Sequence, residues 1–373
     1  WIEQIEYAHA GFFALEYALA RLWQAVGVVP AVVAGHSLGE YAAACIAGVF
    51  SLEDGLRLVL RRAELIRTVA AGAMLSVALG VEEVRARLTE SGLTLDLAAV
   101  NGPDQCVVSG VPEAVQAFRK QLGERRIASI LLPIGYAYHA QQMQAIVEPF
   151  AQYLASITLH KPQIPFEPCI DSAQAVDTPG YWLDHLLRPV LFAPGVQRLA
   201  ERGLHGLLEV GPGAALLQLA RRILGQDTSL LLVSSQSSRP AHNEADWLET
   251  LGQLWQAGAT IDWPLLYRGT SARIVTLPGY PLTRQRYWLA PRPAQSLPVA
   301  ALARHWETVG RPPEQWLYAP TLRLHEGRPA GWTVAPLAAP AGMAQYGLRE
   351  GGRYLLLGGA ALVLPLAEYL VRH

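Results

Sequence analysis

Apolar positions along the chain change period at definable points. In GFFALEYALARLWQAVG (11–27), Phe13, Leu15, Leu19, Leu22 and Val26 fall on one stripe of a 3.6-residue period, which predicts a helix. The unbroken apolar run VVPAVVA (28–34) predicts a buried strand. LGEYAAACIAGVF (38–50) predicts a helix packed closely through small side chains, and residues 52–70 a further amphipathic helix.

From residue 73 the rhythm shortens. AMLSVALG (73–80) reads as a strand and VEEVRARLTESG (81–92) as a helix. LDLAAVNGPDQCVVSG (95–110) reads as two strands around an Asn101-Gly102 turn. VPEAVQAFRKQLGERR (111–126) is helical again, and ASILLPI (128–134) a strand. This βαββαβ order is the ferredoxin-like arrangement, here inserted as a small subdomain. The larger pattern then resumes. Residues 140–157 read as a helix, and YWLDHLLRPVLFAPGVQRLAERG (181–203) as a turn leading into one. GLLEVGPGAALLQLARRIL (206–224) reads as strand, glycine turn and helix, QSSRPAHNEAD (236–246) as a polar loop, and 246–257 as a helix. A strand–turn–helix on each side of the insert implies one α/β layer split by it. Residues from Pro291 to about Pro340 lose their periodicity and become rich in Pro and Ala, as a linker does.

A length of 373 residues predicts two or three domains. The net charge of −1, with no basic run, disfavours a nucleic-acid partner. Cys45, Cys106 and Cys169 are scattered, which fits a reducing, cytoplasmic setting and no metal-ligand spacing. Arg, Glu, Gly or Pro interrupts every apolar stretch before membrane-spanning length, so no membrane span is expected. The chain opens on Trp1 without a signal pattern, as a piece of something longer would.

The candidate chemistry sits at the junction of the first strand and the helix after it. Gly35-His36-Ser37-Leu38-Gly39 matches G-x-S-x-G, a sharp turn that holds a serine in a strained conformation with little bulk on either side. The helix that follows aims unpaired N–H groups and its positive dipole end at the hydroxyl, and the Leu38 amide is placed to serve an oxyanion hole. A turn serine without catalytic duty is the bland reading. The serine needs a base. His36, beside it, points elsewhere because adjacent side chains diverge. His139, in GYAYHAQQM, follows the last strand of the insert and is the strongest of ten histidines, ahead of His160, His185 and His205.

These residues carry a resemblance. The chain resembles the acyltransferase domain of a modular type I polyketide synthase, related to malonyl-CoA:acyl-carrier-protein transacylases. The match runs in order through YAHAGFFALEYALARLW, GHSLGEYAAACIAGVFSLEDGLRLV, RRAELI, GAMLSVALG, AAVNGPDQCVVSG, YAYH, YWLDHLLRPVLF and LLEVGPGAAL, ending in LPGYPLTRQRYWL. The resemblance implies an α/β fold, a hydrolase-like parallel-sheet domain (1–72 and 135–236) with the ferredoxin-like subdomain (73–134) inserted. Residues 237–290 would be a C-terminal helix and post-acyltransferase linker. It implies Ser37 as nucleophile, His139 as general base and Arg62 as the grip on a dicarboxylic acyl-CoA's free carboxylate, a role suited to Arg's planar fork. Without the family spacing, Arg61 and Arg62 could not be told apart.

The same resemblance implies an acyl carrier protein partner with a phosphopantetheine thiol, neighbouring synthase domains such as a ketosynthase, acyl-CoA as substrate, and no metal or bound cofactor. Substrate-binding positions carried over with it are His36, Tyr136, Tyr138 and His9. Malonyl-type relatives carry His-Ala-Phe-His before the base and methylmalonyl types Tyr-Ala-Ser-His. Here Tyr136-Ala137-Tyr138-His139 mixes them, and the bulky Tyr138 weights the expectation toward malonyl. Two departures stand out. The family's upstream glycine-glutamine segment, which supplies the other oxyanion-hole donor, would precede Trp1, and His9-Ala10 replaces a Gln-Pro pair. Residues 291–373 form the linker and a segment resembling a degenerate ketoreductase start, in which Gly358-Gly359 is followed by Ala360-Ala361 and no nicotinamide binding is expected. The competing expectations are a serine hydrolase such as a thioesterase and a non-catalytic synthase scaffold.

Overall fold

The structure, a computed structural model, describes residues 4–236, 243–273, 275–277, 279 and 354–358. Contacts group residues 1–268 with 339–373 in one unit and 269–338 in a second, and every element below belongs to the first. The expected linker and most of the ketoreductase-like segment lie outside the described residues.

Helix α1 (Ile5–Ala25) leads into strand β1 (Pro30–Gly35), helix α2 (Gly39–Ala47) and helix α3 (Leu52–Ile66). Ser51 caps α3 by accepting the Asp54 N–H at 3.0 Å. The small subdomain follows as β2 (Ala73–Val77), α4 (Val81–Ser91), β3 (Leu95–Gly102), β4 (Gln105–Gly110), α5 (Pro112–Glu124) and β5 (Ser129–Leu131). Its antiparallel sheet runs β3-β4-β2-β5, the ferredoxin-like order. The expected Asn101-Gly102 turn lies two residues further along. Gly102 still pairs with Gln105, so the turn falls on Pro103-Asp104 and Asn101 stays within β3, its side chain buried. Proline at the turn's start fixes a suitable φ and has no N–H to lose from the ladder.

The chain then forms a 3-10 turn (Gln141–Met143), α6 (Gln144–Leu154), β6 (Phe166–Glu167), α7 (Pro179–Leu187) and α8 (Phe192–Glu201). Two helices therefore stand where a turn and one helix were expected at 181–203. Pro179 opens α7, and α7 ends before Pro189, which disfavours helical backbone at Arg188. After these come β7 (Gly206–Glu209), α9 (Ala215–Leu224), β8 (Leu231–Ser234), α10 (Asn243–Gln256), α11 (Trp263–Leu266) and β9 (Tyr354–Gly358).

The large sheet is parallel throughout, in the order β6-β1-β9-β7-β8. Its middle strand is β9, read from the sequence as part of a ketoreductase-like start. Gly358 pairs with Gly35 at the carboxyl end of β1, and an uninterrupted run such as Leu355-Leu356-Leu357 suits a strand flanked on both sides. Two buried clusters cover this sheet. One gathers α2, α3, α6, α7 and α8, and the other joins α1 to α10, where Trp23 stacks on Trp247 at 4.9 Å and its indole N–H reaches Ser235 Oγ at 2.8 Å.

Two carboxyl groups are sealed in this core. Glu16 on α1 is pushed up to about 8 by burial and by the Glu209 charge. Burial pushes Glu209 up to about 7, against the pull of the Leu216 and Leu217 N–H groups at the start of α9. Both groups hold their protons in the fold longer than in the unfolded chain, where the ordinary value is 4.5. At these two groups the folded state thus binds more protons, and their contribution to stability is greatest below that value and is lost as pH rises through about 7 to 8. Above about 6.5, where histidines are neutral in the folded and the unfolded chain alike, thermal unfolding should shift to lower temperature as pH is raised to about 8, and Glu16→Gln should flatten that slope. A slope unchanged by the substitution would show that Glu16 is already ionised.

Candidate active site

The carboxyl end of β1 runs into α2 with almost no clearance. A Cβ on Gly35 would lie 2.2 Å from the Glu40 backbone nitrogen, so only glycine lets the helix start this close to the strand. The chain makes the turn by placing Ser37 at φ 53°, a left-handed conformation that costs a non-glycine residue about 1–3 kcal/mol. His139 repeats the strain at φ 54°, where the chain re-enters the large domain.

These two strained residues meet. Ser37 Oγ lies 2.7 Å from His139 Nε2, and His139 Nδ1 lies 2.9 Å from the Arg188 carbonyl oxygen. A carbonyl can only accept, so Nδ1 carries the proton and Nε2 is left to accept from the serine hydroxyl. His139 is buried, and burial chiefly holds it well below the usual imidazole value, with nearby His185, Arg62 and His36 adding to the shift. A neutral imidazole already accepting the hydroxyl hydrogen bond can take its proton as the oxygen attacks. Leu38 is the N-cap of α2, at the positive end of its dipole, and the amides of Gly39, Glu40 and Tyr41 after it bond the carbonyls of His36, Ser37 and Leu38.

The remaining residues singled out in the sequence fall around this pair. Arg62 on α3 is buried, and among the described residues no carboxylate pairs with it and its Nε has no partner. Its guanidinium carbon lies 5.9 Å from the Tyr41 ring centre and 5.7 Å from that of Tyr138. Arg61, the neighbour that spacing alone could not exclude, points outward to Glu64 at 3.0 Å. Tyr138 packs 6.2 Å from Tyr136, and its hydroxyl is 3.5 Å from His9 Nε2. Burial and the Arg62 charge push His9 down to about 3, so it is neutral, and burial pushes Tyr138 up to about 12. His36 turns to β3, where its Nε2 donates to Asn101 Oδ1 at 2.8 Å and its ring lies 5.4 Å from Phe192.

Sequence reasoning missed three parts of this arrangement. Asn101 was assigned to a turn, the Arg188 carbonyl carries no side-chain signature, and Glu40 was passed over. A lone acid in GEYAAACIA, three residues past the serine, was the available signal, because an alanine-rich buried helix gives a carboxylate nowhere to hide without partners.

Comparison with known proteins identifies the family. The profile of the acyl transferase domain family matches residues 2–251. Among curated relatives, the phenolphthiocerol synthesis polyketide synthase type I Pks15/1 of Mycobacterium marinum is 33% identical over 296 residues, covering 78% of this chain and 14% of that protein. Erythronolide synthase EryA2 of Saccharopolyspora erythraea is 32% identical over 318 residues, covering 83% of this chain and 9% of its own length. The chain thus spans a small part of these relatives. Among solved structures, the acyltransferase domain from the second module of the salinomycin polyketide synthase superposes with TM-score 0.68 at 35% identity, over 74% of this chain and 66% of that one. The malonyl-CoA:acyl carrier protein transacylase FabD of Xanthomonas oryzae gives TM-score 0.62 at 30% identity, over 68% of this chain and 81% of its own. The chain belongs to the acyl transferase domain family. Among the described residues, no helix is long and apolar enough to cross a membrane.

The depressed basicity of His139 has a measurable consequence. An active-site organophosphonate probe should modify Ser37 at a constant rate as pH falls through 6.5, the ordinary histidine value, with the loss setting in well below it. Half-loss near 6.5, read by intact mass, would show that the base is not buried as described.

Proposed function

We propose that this chain loads a dicarboxylic extender unit, malonyl in preference to methylmalonyl, from CoA onto the phosphopantetheine thiol of an acyl carrier protein. The carrying observation is the Ser37–His139 contact at 2.7 Å beside a buried arginine that no carboxylate among the described residues neutralises. Ser37 Oγ attacks the thioester carbonyl while its proton passes to His139 Nε2. The oxyanion faces the start of α2, where the Leu38 amide donates to it. As the tetrahedral adduct collapses, the C–S bond breaks and the CoA sulfur takes the proton from His139. In the second half, the carrier thiol gives its proton to His139 and attacks the ester, and Ser37 recovers the proton on leaving. No step calls for a metal or a bound organic cofactor.

Arg62 receives the substrate's free carboxylate, with Tyr41 and Tyr138 flanking the guanidinium. Neutral His9 and the phenols of Tyr136 and Tyr138 line the same side of the site, and His36 braces the serine turn against β3 through Asn101. His139 Nδ1 meets a backbone carbonyl rather than a carboxylate, which speaks against the Ser…Asp…His order of a hydrolase. Relatives named as polyketide synthases support a natural context in such a synthase, where an acyl carrier protein and neighbouring domains such as a ketosynthase would be the partners and the cytoplasm the setting.

Intact-mass measurement after incubation with malonyl-CoA should show one malonyl group on the parent chain and none on Ser37→Ala. Arg62→Ala should lose the preference for malonyl over acetyl while Ser37 remains reactive. Removing one partner of a buried charge pair costs about 2–5 kcal/mol, enough to reverse the choice. A variant that still takes malonyl and rejects acetyl would remove Arg62 from this role.

The extender preference has its own test. The Tyr138 ring sits over Arg62 and against Tyr136, filling space beside the substrate's α-carbon that a serine would leave open. One methyl group in such a pocket is worth about 1–3 kcal/mol, a discrimination of about ten- to two-hundredfold. In competition, the parent chain should load malonyl over methylmalonyl, and Tyr138→Ser should narrow or invert that ratio. Equal loading of both by the parent would overturn the preference.

A further inference from the structure

Directly behind the Ser37–His139 pair lies a sealed polar cluster to which nothing above gives a role. Glu40 on α2 and His185 on α7 are both wholly buried. Glu40 Oε1 accepts the Cys169 N–H at 2.6 Å, and Oε2 accepts the Tyr181 hydroxyl at 2.8 Å. His185 Nε2 stands 3.3 Å from the same Oε2, off the line of a hydrogen bond, and Nδ1 has no partner at all. A buried imidazole with neither nitrogen hydrogen-bonded is costly, and it calls for an explanation. Its ring meets that of His139 edge-on at 5.6 Å and that of Tyr41 edge-on at 5.5 Å.

We propose that Glu40 and His185 are positioning residues that hold Ser37 and His139 in register with each other. The connections form a closed ring. Ser37 and Glu40 are three residues apart across the first turn of α2. Glu40 faces His185, and His185 is three residues before Arg188, the C-cap of α7. The Arg188 carbonyl accepts from His139 Nδ1, and His139 Nε2 returns to Ser37 Oγ. The end of α7 therefore fixes His139 through a carbonyl on Nδ1, with the His185 ring packed edge-on beside it. Glu40 ties α7 to the helix that carries the serine through the Tyr181 hydroxyl at 2.8 Å, with His185 Nε2 standing 3.3 Å from the same oxygen. Without such a tie, two residues 102 apart in sequence and on different elements must keep a 2.7 Å contact by packing alone.

An ion site is the competing use of the same atoms, since Glu40, Cys169 and His185 place a ligand atom each within 4.8 Å of one another. Burial and the Glu40 charge keep the Cys169 thiol protonated, and both Glu40 oxygens are already engaged by protein donors. The donor set favours a brace.

The proposal rests on the reading of Ser37 and His139 as nucleophile and base, but not on the identity of the acyl group. Its test therefore uses the rate at which an organophosphonate probe modifies Ser37, with no acyl-CoA present. His185→Phe keeps a ring against His139 and Tyr41 and removes the nitrogen facing Glu40. His185→Gln gives up the ring and keeps a donor of similar reach. The phenylalanine variant should react about tenfold or more slowly than the parent, and the glutamine variant should recover most of that loss. Thermal transitions report folding, and His185→Met replaces the phenylalanine variant if the larger ring is not accommodated. Undiminished reactivity without the nitrogen overturns the proposal, as does equal loss in both variants, which would mean packing alone, or no modification of Ser37 in the parent. A probe pattern as expected, combined with no loading from any acyl-CoA, would instead remove the acyl-transfer reading and leave the brace standing.

Discussion

The clearance between β1 and α2 governs everything at the site. Because Gly35 has no side chain, the helix begins over the strand end with its first amides at the serine, and Ser37 must take a left-handed conformation to make the turn. The energy that holds it there comes from the surroundings. Val32 and Val33 in β1 and the alanines of α2 are buried on all sides, and small side chains let the helix lie close to α1 and the sheet. A strained serine turn is thus imposed by a well-packed core.

His139 arrives from a different direction. The ferredoxin-like subdomain leaves the large domain after α3 and returns at the Tyr136–His139 stretch, so its insertion determines where His139 re-enters. Gly72 marks the outward crossing. Its N–H reaches the Gly135 carbonyl at 2.9 Å, and a Cβ there would meet the Ala137 nitrogen at 2.2 Å. The two crossings therefore touch, and the small sheet is anchored directly beside the active site. His36, bonded to Asn101 on β3, and the bridge from Ala99 to Val190 tie the small sheet to the serine turn and to the segment just past Arg188.

Electrostatics then separates the roles of similar residues. His9, His36 and His139 all sit near Arg62 or in dry surroundings, and each is held below the ordinary imidazole range chiefly by burial. The site thus carries neutral imidazoles around a single permanent cation. That combination suits an anionic acyl group, because the arginine is the one group there that cannot give up its charge.

The sequence alone determined most of the elements and the residue types at the strand–helix turn. Unbroken apolar and small-residue runs placed β1 and α2, which are buried on all sides, and a 3.6-residue period placed the helices of the βαββαβ insert, which bury one face. G-x-S-x-G located the serine, because the turn's sterics demand those residue types locally. Local patterning could not reach whatever depends on which distant surfaces meet. Asn101 reads as a turn residue until strand pairing moves the turn to Pro103-Asp104. Arg61 and Arg62 are alike in spacing until α3 buries one and exposes the other. Arg188 contributes only a carbonyl, which any residue has, and His185 gains its surroundings from Glu40, 145 positions earlier. Tertiary structure decided these, because partnership across the fold is a property of packing and leaves no period in the chain.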